Sequence, residues 1–141
     1  MASIDDPRIR AFLSHGTRTG KVAWVAADGA PHVAPIWFVL DGDALVFNTG
    51  AATGKGRSLV REGRASLVVD DETPPFSFVK LDGSVTVSDD LTEVRRFATL
   101  IGGRYMGAER AEEFGARNGV PGELLVRLHP TRVTAAFDLA D

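Results

Sequence analysis

The chain has 141 residues, of which 44% are hydrophobic and 25% are charged, and its formal net charge is −3 at pH 7. This composition predicts one soluble globular domain, residues 1–141, and the acidic balance gives no electrostatic reason to expect nucleic acid or an anionic membrane as a partner. The absence of cysteine excludes disulfides, thiolate metal sites and cysteine nucleophiles.

The N-terminal sequence MASIDDPRIRAFLSHG is acidic and has no long apolar run, so we expect no secretory signal and a cytoplasmic location. Its aspartates followed by proline are typical of a helix start, which predicts a short helix over 6–15. Three strand-forming runs come next, separated by two Asp-Gly turns of the kind that close hairpins. They predict a three-stranded meander made of 21–27, 31–40 and 44–49.

The rest of the chain alternates short helices and strands. We expect a helix over 54–62, strands over 64–71 and 76–89, helices over 91–105 and 108–117, and a strand over 123–138 interrupted at Pro130. Gly83 is expected to mark a bulge or bend in the fifth strand. Because the helices are too few to cover a parallel sheet, the chain is predicted to be mainly β, a six-stranded antiparallel barrel with peripheral short helices.

The stretch NTGAATGKGRSLVREGR, residues 48–64, places the densest positive charge on a glycine-rich turn before a helix. Free N–H groups and the dipole at a helix start favour anions, and glycine lets a ligand approach the backbone. Lys55 and Arg57 add charge, and Thr49, Thr53 and Ser58 add hydroxyls. The spacing of a Walker loop is absent. The pattern therefore predicts either a phosphate site or a solvated turn whose basic residues cover acidic neighbours.

Several other side chains have two interpretations. Trp24 and Trp37 can stack on a ring or pack in the barrel wall, and Phe78 can line a pocket or the ordinary core. The three histidines show no metal-ligand spacing, so no metal is expected. Among the titratable groups none is recognisable as a proton donor, and catalytic residues stay unassigned.

Three blocks carry a resemblance to a known family: HVAPIWFVLDGDALVFNTG, GKGRSLVREGRASLVVDD and PPFSFVKLDGSVTV. Together they resemble the flavin-binding split β-barrel proteins related to pyridoxamine 5′-phosphate oxidase. Within that group the chain is most similar to the actinobacterial F420-dependent (deazaflavin) oxidoreductases, in particular the B group. The likeness covers nearly all of residues 8–137.

The resemblance implies a homodimer with two cofactor sites at the subunit interface. It places the cofactor phosphate on Thr49, Lys55, Arg57 and Ser58, with Gly56 in the same turn. It also implies that the strand carrying Pro35, Ile36 and Trp37 runs along the cofactor ring through its backbone groups. The strand carrying Phe78 would come from the other subunit and close the ring pocket, and Arg104 and Tyr105 could reach the cofactor tail or the substrate from there.

Two departures from the oxidases narrow the expected cofactor and substrate. The C-terminal sequence LHPTRVTAAFD lacks the basic motif with which pyridoxamine-phosphate oxidases grip their substrate, so that activity is not expected. His32 stands where those oxidases tend to have an arginine for the flavin phosphate, which weakens the case for FMN. Arg57, Arg61 and Arg64 suit coenzyme F420, whose phosphate continues into a glutamate tail.

We therefore expect an oxidoreductase that transfers a hydride from reduced coenzyme F420 to an electron-poor small molecule. One alternative is an FMN-dependent reductase or oxidase of the same fold. The other is a non-catalytic protein that binds F420 or haem.

Overall fold

The computed structural model describes residues 2–141. Its elements are α1 (Pro7–Ser14), β1 (Gly20–Val25), β2 (Pro31–Ile36), β3 (Val39–Asp41), β4 (Ala44–Gly50), α2 (Gly54–Glu62), β5 (Arg64–Asp71), β6 (Ser77–Ser88), α3 (Leu91–Met106), a 3-10 turn (Ala108–Arg110), α4 (Ala111–Asn118) and β7 (Glu123–Ala136). The seven strands of the described residues form one antiparallel sheet, which confirms the predicted mainly β class with peripheral helices.

The strand order is β2-β1-β5-β6-β7-β4-β3, so β2 and β3 lie at the two edges of the sheet. Both hairpins of the predicted meander are present, since β2 pairs with β1 and β3 pairs with β4, but the middle strand is split and its two halves lie at opposite edges of the sheet. Only Trp37 and Phe38 separate these two edge strands in the chain. Two residues span a short distance, so the edges must approach each other and the sheet curls into a barrel.

The predicted strand 31–40 is broken at Phe38, which is why the sheet has seven strands and not six. The Phe38 N–H donates to the Tyr105 hydroxyl at 3.2 Å, and its carbonyl accepts from Arg104 Nη1 at 2.7 Å. These side chains of α3 take the backbone groups that a neighbouring strand would otherwise pair. The chain therefore leaves one sheet edge and joins the other at this residue.

The long strands β6 and β7 pair along most of their length. Pro130 does not interrupt β7, contrary to the prediction, because a bulge in the ladder accommodates it. The register shifts between Asp82 and Gly83, which lie opposite Arg132 and Pro130. The predicted irregularity at Gly83 is confirmed, with the extra residue on the β7 side.

Residues of β4 alternate between two apolar clusters. Leu45 and Phe47 belong to the barrel core, whereas Ala44 and Val46 pack with Val94, Phe97 and Leu125 in a second cluster that includes the inner face of α3. Strand side chains alternate between faces. Asn48 therefore continues the row that points toward the helices, and this row leads to the candidate site.

Helices α3 and α4 pack closely against each other beside that row. A Cβ on Gly102 would overlap Phe114, so glycine is required there for the close approach of the two helices. No helix within residues 2–141 has both the length and the apolar character needed to cross a bilayer.

Candidate cofactor site

A cleft of about 450 Å³ lies where the β2–β3 connection meets the helices α3 and α4. This volume is typical of pockets that hold small molecules and cofactors. Its lining combines residues from β2, β4, α2, α3, α4 and the start of β7. The members are Thr19, Pro35, Ile36, Trp37, Asn48, Lys55, Ile101, Phe114, Arg117, Asn118 and Glu123.

Aromatic and aliphatic side chains form one wall of the cleft. The Trp37 ring stacks on Tyr105 with 5.0 Å between the ring centroids and 4° between the planes. Phe114 approaches Trp37 from α4 at 6.0 Å, and Ile36 and Ile101 complete the wall. Because Tyr105 fixes the Trp37 ring from behind, the wall is a preorganised apolar surface against which a planar ring can lie.

Asn48 places an unsatisfied donor in this cleft. Its Nδ2 is buried and is the one buried side-chain nitrogen or oxygen within residues 2–141 that has no hydrogen-bond partner. A buried donor without an acceptor costs about 1–3 kcal/mol, so natural proteins rarely leave one unless a ligand or water completes it. Because Asn48 also lines the cleft, its amide is a candidate donor to a polar ligand atom there.

Three charged side chains line the cleft: Lys55, Arg117 and Glu123. Burial lowers the pKa of Lys55, and the negative charge of Glu123 opposes that effect. Burial raises the pKa of Glu123, with Lys55 acting in the opposite sense. Each charge is thus incompletely compensated by the other, and an anion bound beside Lys55 would stabilise its charged form.

The N-terminus of α2 presents Lys55 to the cleft. Thr53 caps this helix, because the Gly56 N–H donates to the Thr53 Oγ1 at 3.0 Å, and a Cβ on Gly56 would overlap the Gly50 carbonyl. The N–H groups of Gly54 and Lys55 donate to no acceptor within residues 2–141. They remain available to an anion at the positive end of the helix dipole.

Other residues of the predicted phosphate site point elsewhere in this chain. The exposed Arg57 donates through Nη1 to the Ala52 carbonyl at 2.5 Å. Ser58 is buried, and its hydroxyl accepts from Arg61 Nη2 at 3.2 Å. Thr49 is also buried, on the opposite face of β4 from Asn48. The cleft thus unites Pro35, Ile36, Trp37 and Lys55 but leaves Thr49, Gly56, Arg57 and Ser58 outside its lining.

Phe78 lies on β6 between Asp70 of β5 and Ala136 of β7. It does not line the cleft of its own chain. Its predicted role in closing the ring pocket therefore depends on a second subunit.

A larger hollow of about 630 Å³ lies on the β1, β5 and β6 side of the sheet. It contains none of the predicted cofactor residues, and its charged groups already have partners. Asp82 pairs with Ser66 and Lys80, and Arg64 lies 3.9 Å from Glu62. Trp24, at its rim, stacks on His32 with 5.6 Å between the ring centroids. The smaller cleft is the better candidate because it is lined by Asn48, whose Nδ2 has no partner, and by Lys55 and Glu123, whose charges compensate each other only in part.

Sequence reasoning did not identify Asn48, Arg117 or Glu123 as site residues. The sequence could have indicated Asn48, because it is a polar residue that follows four apolar residues, 44–47, in a predicted strand. Glu123 carried no such signal, because only the pairing of β7 with β4, which sets Glu123 opposite Gly50, brings it to the cleft.

Solved structures of several proteins share this fold. A conserved hypothetical protein from Mycobacterium tuberculosis is 22% identical, with a TM-score of 0.80 over 93% of this chain and 83% of its own. A protein described as an F420 reductase is 24% identical, with a TM-score of 0.70 over 88% of this chain and 94% of its own. HutZ, described as a haem storage protein from Vibrio cholerae, is 19% identical, with a TM-score of 0.74 over 96% of this chain and 98% of its own. These identities show a common fold.

The sequence itself gives the family. No curated protein matches this chain significantly. The profile of the family described as pyridoxamine 5′-phosphate oxidase, however, matches residues 5–137, which is nearly the whole chain. The protein therefore belongs to the pyridoxamine 5′-phosphate oxidase family of split β-barrels.

Proposed function

We propose that this protein is a homodimeric oxidoreductase that binds coenzyme F420 in the cleft and reduces an electron-poor small molecule. The observation that carries the proposal is the union, in one cleft, of the apolar wall at Trp37, the unpaired donor of Asn48 and the half-buried Lys55 at a helix start. Bound F420 would supply the hydride. The protein then has to bind the cofactor, orient its ring and exclude water from the reacting face.

The residues present fit a ring that is joined to a phosphate. The wall formed by Ile36, Trp37, Ile101 and Phe114 suits a planar tricyclic ring. β2 is an edge strand, so its outer backbone groups are free to bond the polar edge of such a ring. Lys55 and the free N–H groups at the start of α2 suit the phosphate.

Each part of the cleft has a distinct role in this proposal. The apolar wall holds the ring and excludes water from the reacting face. Lys55 anchors the phosphate end and thereby fixes how far the ring can slide along the wall. None of the side chains of that wall carries a titratable proton, so water or a backbone-oriented group is the expected source of the proton that follows the hydride.

The described function of one structural neighbour, an F420 reductase, agrees with the proposal. Two alternatives share the fold: an FMN-dependent reductase or oxidase, and a non-catalytic protein that stores F420 or captures haem, as HutZ is described to store haem. Both alternatives use a planar ring with anionic groups, so binding and turnover must be measured side by side.

A fluorescence titration of the purified protein with F420, FMN and haem separates these alternatives. We expect submicromolar binding of F420 and much weaker binding of FMN and haem. Reduced F420 should then be oxidised in the presence of a panel of quinones, enones and nitroaromatics. Tight F420 binding with no turnover on any acceptor would favour the storage protein, and preferential FMN binding would favour the flavin enzyme.

Substitution of the basic turn tests the site itself. Lys55→Ala combined with Arg57→Ala should weaken F420 binding at least tenfold, because charge-assisted contacts contribute about 1.5–3 kcal/mol each and about 1.4 kcal/mol is tenfold. Lys55→Ala alone should account for most of the loss, since Arg57 faces the Ala52 carbonyl. Arg95→Ala, an exposed position on α3, is the matched control. Unchanged binding in the double variant would refute the site.

A further inference from the structure

The charges that line the cleft nearly cancel. Lys55 and Arg117 are positive and Glu123 is negative, which leaves a net formal charge of +1 for the lining. The nearby arginines of α2 lie outside this lining, and Arg57 donates to the Ala52 carbonyl while Arg61 donates to the Val25 carbonyl. The carboxylate of Glu123 therefore offsets part of the attraction that Lys55 and Arg117 exert on an anion in the cleft.

Glu123 is held where it faces the phosphate end of the cleft. As the first residue of β7 it pairs with Gly50, the last residue of β4, and the turn from Gly50 leads directly to Lys55. Its Oε2 lies 3.3 Å from the position that a Cβ on Gly50 would take. The carboxylate therefore stands over the turn on which an anion would bind.

Phosphate groups differ in charge according to how they are esterified. A phosphomonoester such as FMN carries about −1.5 to −2 at pH 7, with a second pKa of about 6. A phosphodiester, as in F420, carries a single negative charge on its phosphate. Repulsion by a neighbouring carboxylate grows in proportion to ligand charge, so a dianion pays about twice the penalty of a monoanion.

We propose that Glu123 is a specificity residue that admits singly charged phosphodiesters to the cleft and disfavours doubly charged phosphomonoesters. The inference rests on the proposed function in that it takes the cleft as the cofactor site. Burial already raises the pKa of Glu123. A dianion bound beside Glu123 is therefore either destabilised by repulsion from the carboxylate or bound together with a proton on the carboxyl group.

A series of flavins with the same ring system but different phosphate charges isolates the effect of ligand charge on affinity. Riboflavin is neutral, riboflavin 4′,5′-cyclic phosphate carries one charge and FMN carries two at pH 8. Dissociation constants are measured for wild type, Glu123→Gln and the control Glu112→Gln, an exposed acid on α4. F420 is titrated in parallel. Glu123→Asp keeps the charge and should keep the discrimination.

The expected result for Glu123→Gln is a graded gain in affinity. Binding of riboflavin should not change, the cyclic phosphate should bind about threefold tighter and FMN about tenfold tighter, because doubling the repulsion energy squares the ratio of affinities. Glu112→Gln should change none of the three.

An equal change for all three flavins, or no change, would overturn the inference even if F420 binds well. A wild-type protein that fails to bind F420 but shows the graded flavin series would overturn the proposed function and support the inference. A Glu123→Asp variant that behaves like Glu123→Gln would show that the charge is not the cause and would also overturn it.

Discussion

Trp37 lies between two regions that differ in hydrogen bonding: the polar groups on one side are paired, and on the other side one is not. Behind the indole, Arg104 and Tyr105 of α3 make several hydrogen bonds to backbone groups. In front of it, the cleft contains the unpaired Nδ2 of Asn48. The first region is complete in the free protein, whereas the second lacks a partner that only a ligand or solvent can supply.

The network behind Trp37 is built from long-range contacts. Arg104 donates to the carbonyls of Gly16 at 3.0 Å, Leu13 at 2.8 Å and Phe38 at 2.7 Å. The Tyr105 hydroxyl accepts from the Phe38 N–H and donates to the Arg18 carbonyl at 2.7 Å. Burial lowers the pKa of Arg104 and raises the pKa of Tyr105. This region therefore fixes the β2–β3 connection.

The contrast indicates a division of labour between structure and binding. A polar group that is fully paired contributes to the stability of the free protein, and its loss leaves its buried partners unpaired. A polar group that is unpaired in the free protein contributes little to stability and is available to a ligand. Substitutions on the two sides of Trp37 should therefore separate the free energy of unfolding from cofactor affinity.

Arg104→Ala should have the largest effect on stability. It removes the donors for three carbonyls in a half-buried site and the contact with the Phe38 ring, 4.5 Å from the guanidinium carbon to the ring centroid. We expect the free energy of unfolding to fall by about 2–4 kcal/mol, measured by urea denaturation. Arg95→Ala, on the exposed side of the same helix, should change it by less than about 0.5 kcal/mol. A loss no larger than the control would contradict a structural role for the network.

The sequence predicted the parts of the fold that depend on local signals. Helix α2 begins and ends where it was predicted, at 54 and 62, because Thr53 caps its start and Gly63 ends it with a φ of 64°. The break in the predicted strand 31–40 was missed because it is made by Tyr105, which is 67 residues away from Phe38. The edge positions of β2 and β3 were missed for the same reason, since pairing across the sheet is not encoded near either strand.

Residues of the candidate site likewise fall into those that local sequence signals predicted and those that depend on long-range contacts. The basic turn at Lys55 and the aromatic residue Trp37 were recognisable from motif and resemblance, and the structure places both in one cleft. Glu123 was not recognisable, because its place depends on the register between β4 and β7. The orientation of the Arg57 side chain could not be predicted from the sequence either, since an arginine at this position can face a ligand or a neighbouring carbonyl.

Asn48→Leu tests the front of Trp37, with a smaller effect on stability. Replacing a buried donor that has no partner by an apolar group of similar size should leave the free energy of unfolding unchanged or raise it by up to about 1 kcal/mol. The affinity for F420 should fall about fivefold or more, because one ligand hydrogen bond contributes about 1 kcal/mol. Urea denaturation and fluorescence titration measure the two quantities. A large loss of stability with unchanged affinity would place Asn48 with the structural network.

Glu123→Gln should have the smallest effect on stability, and the effect should depend on pH. The folded pKa of Glu123 is raised above its unfolded value, chiefly by burial, so its neutral form is favoured by folding. Wild type and variant should therefore be equally stable below pH 4.5, the ordinary value for glutamate, and wild type should fall behind as pH rises through the folded pKa. Because most of this carboxyl group stays in contact with solvent, the difference at pH 8 should be only a few tenths of a kcal/mol. Urea denaturation at pH 4 and pH 8 measures this difference in the free energy of unfolding. A wild type that is more stable than the variant at pH 8 would mean that the attraction of Lys55 outweighs the burial of Glu123 in the folded protein.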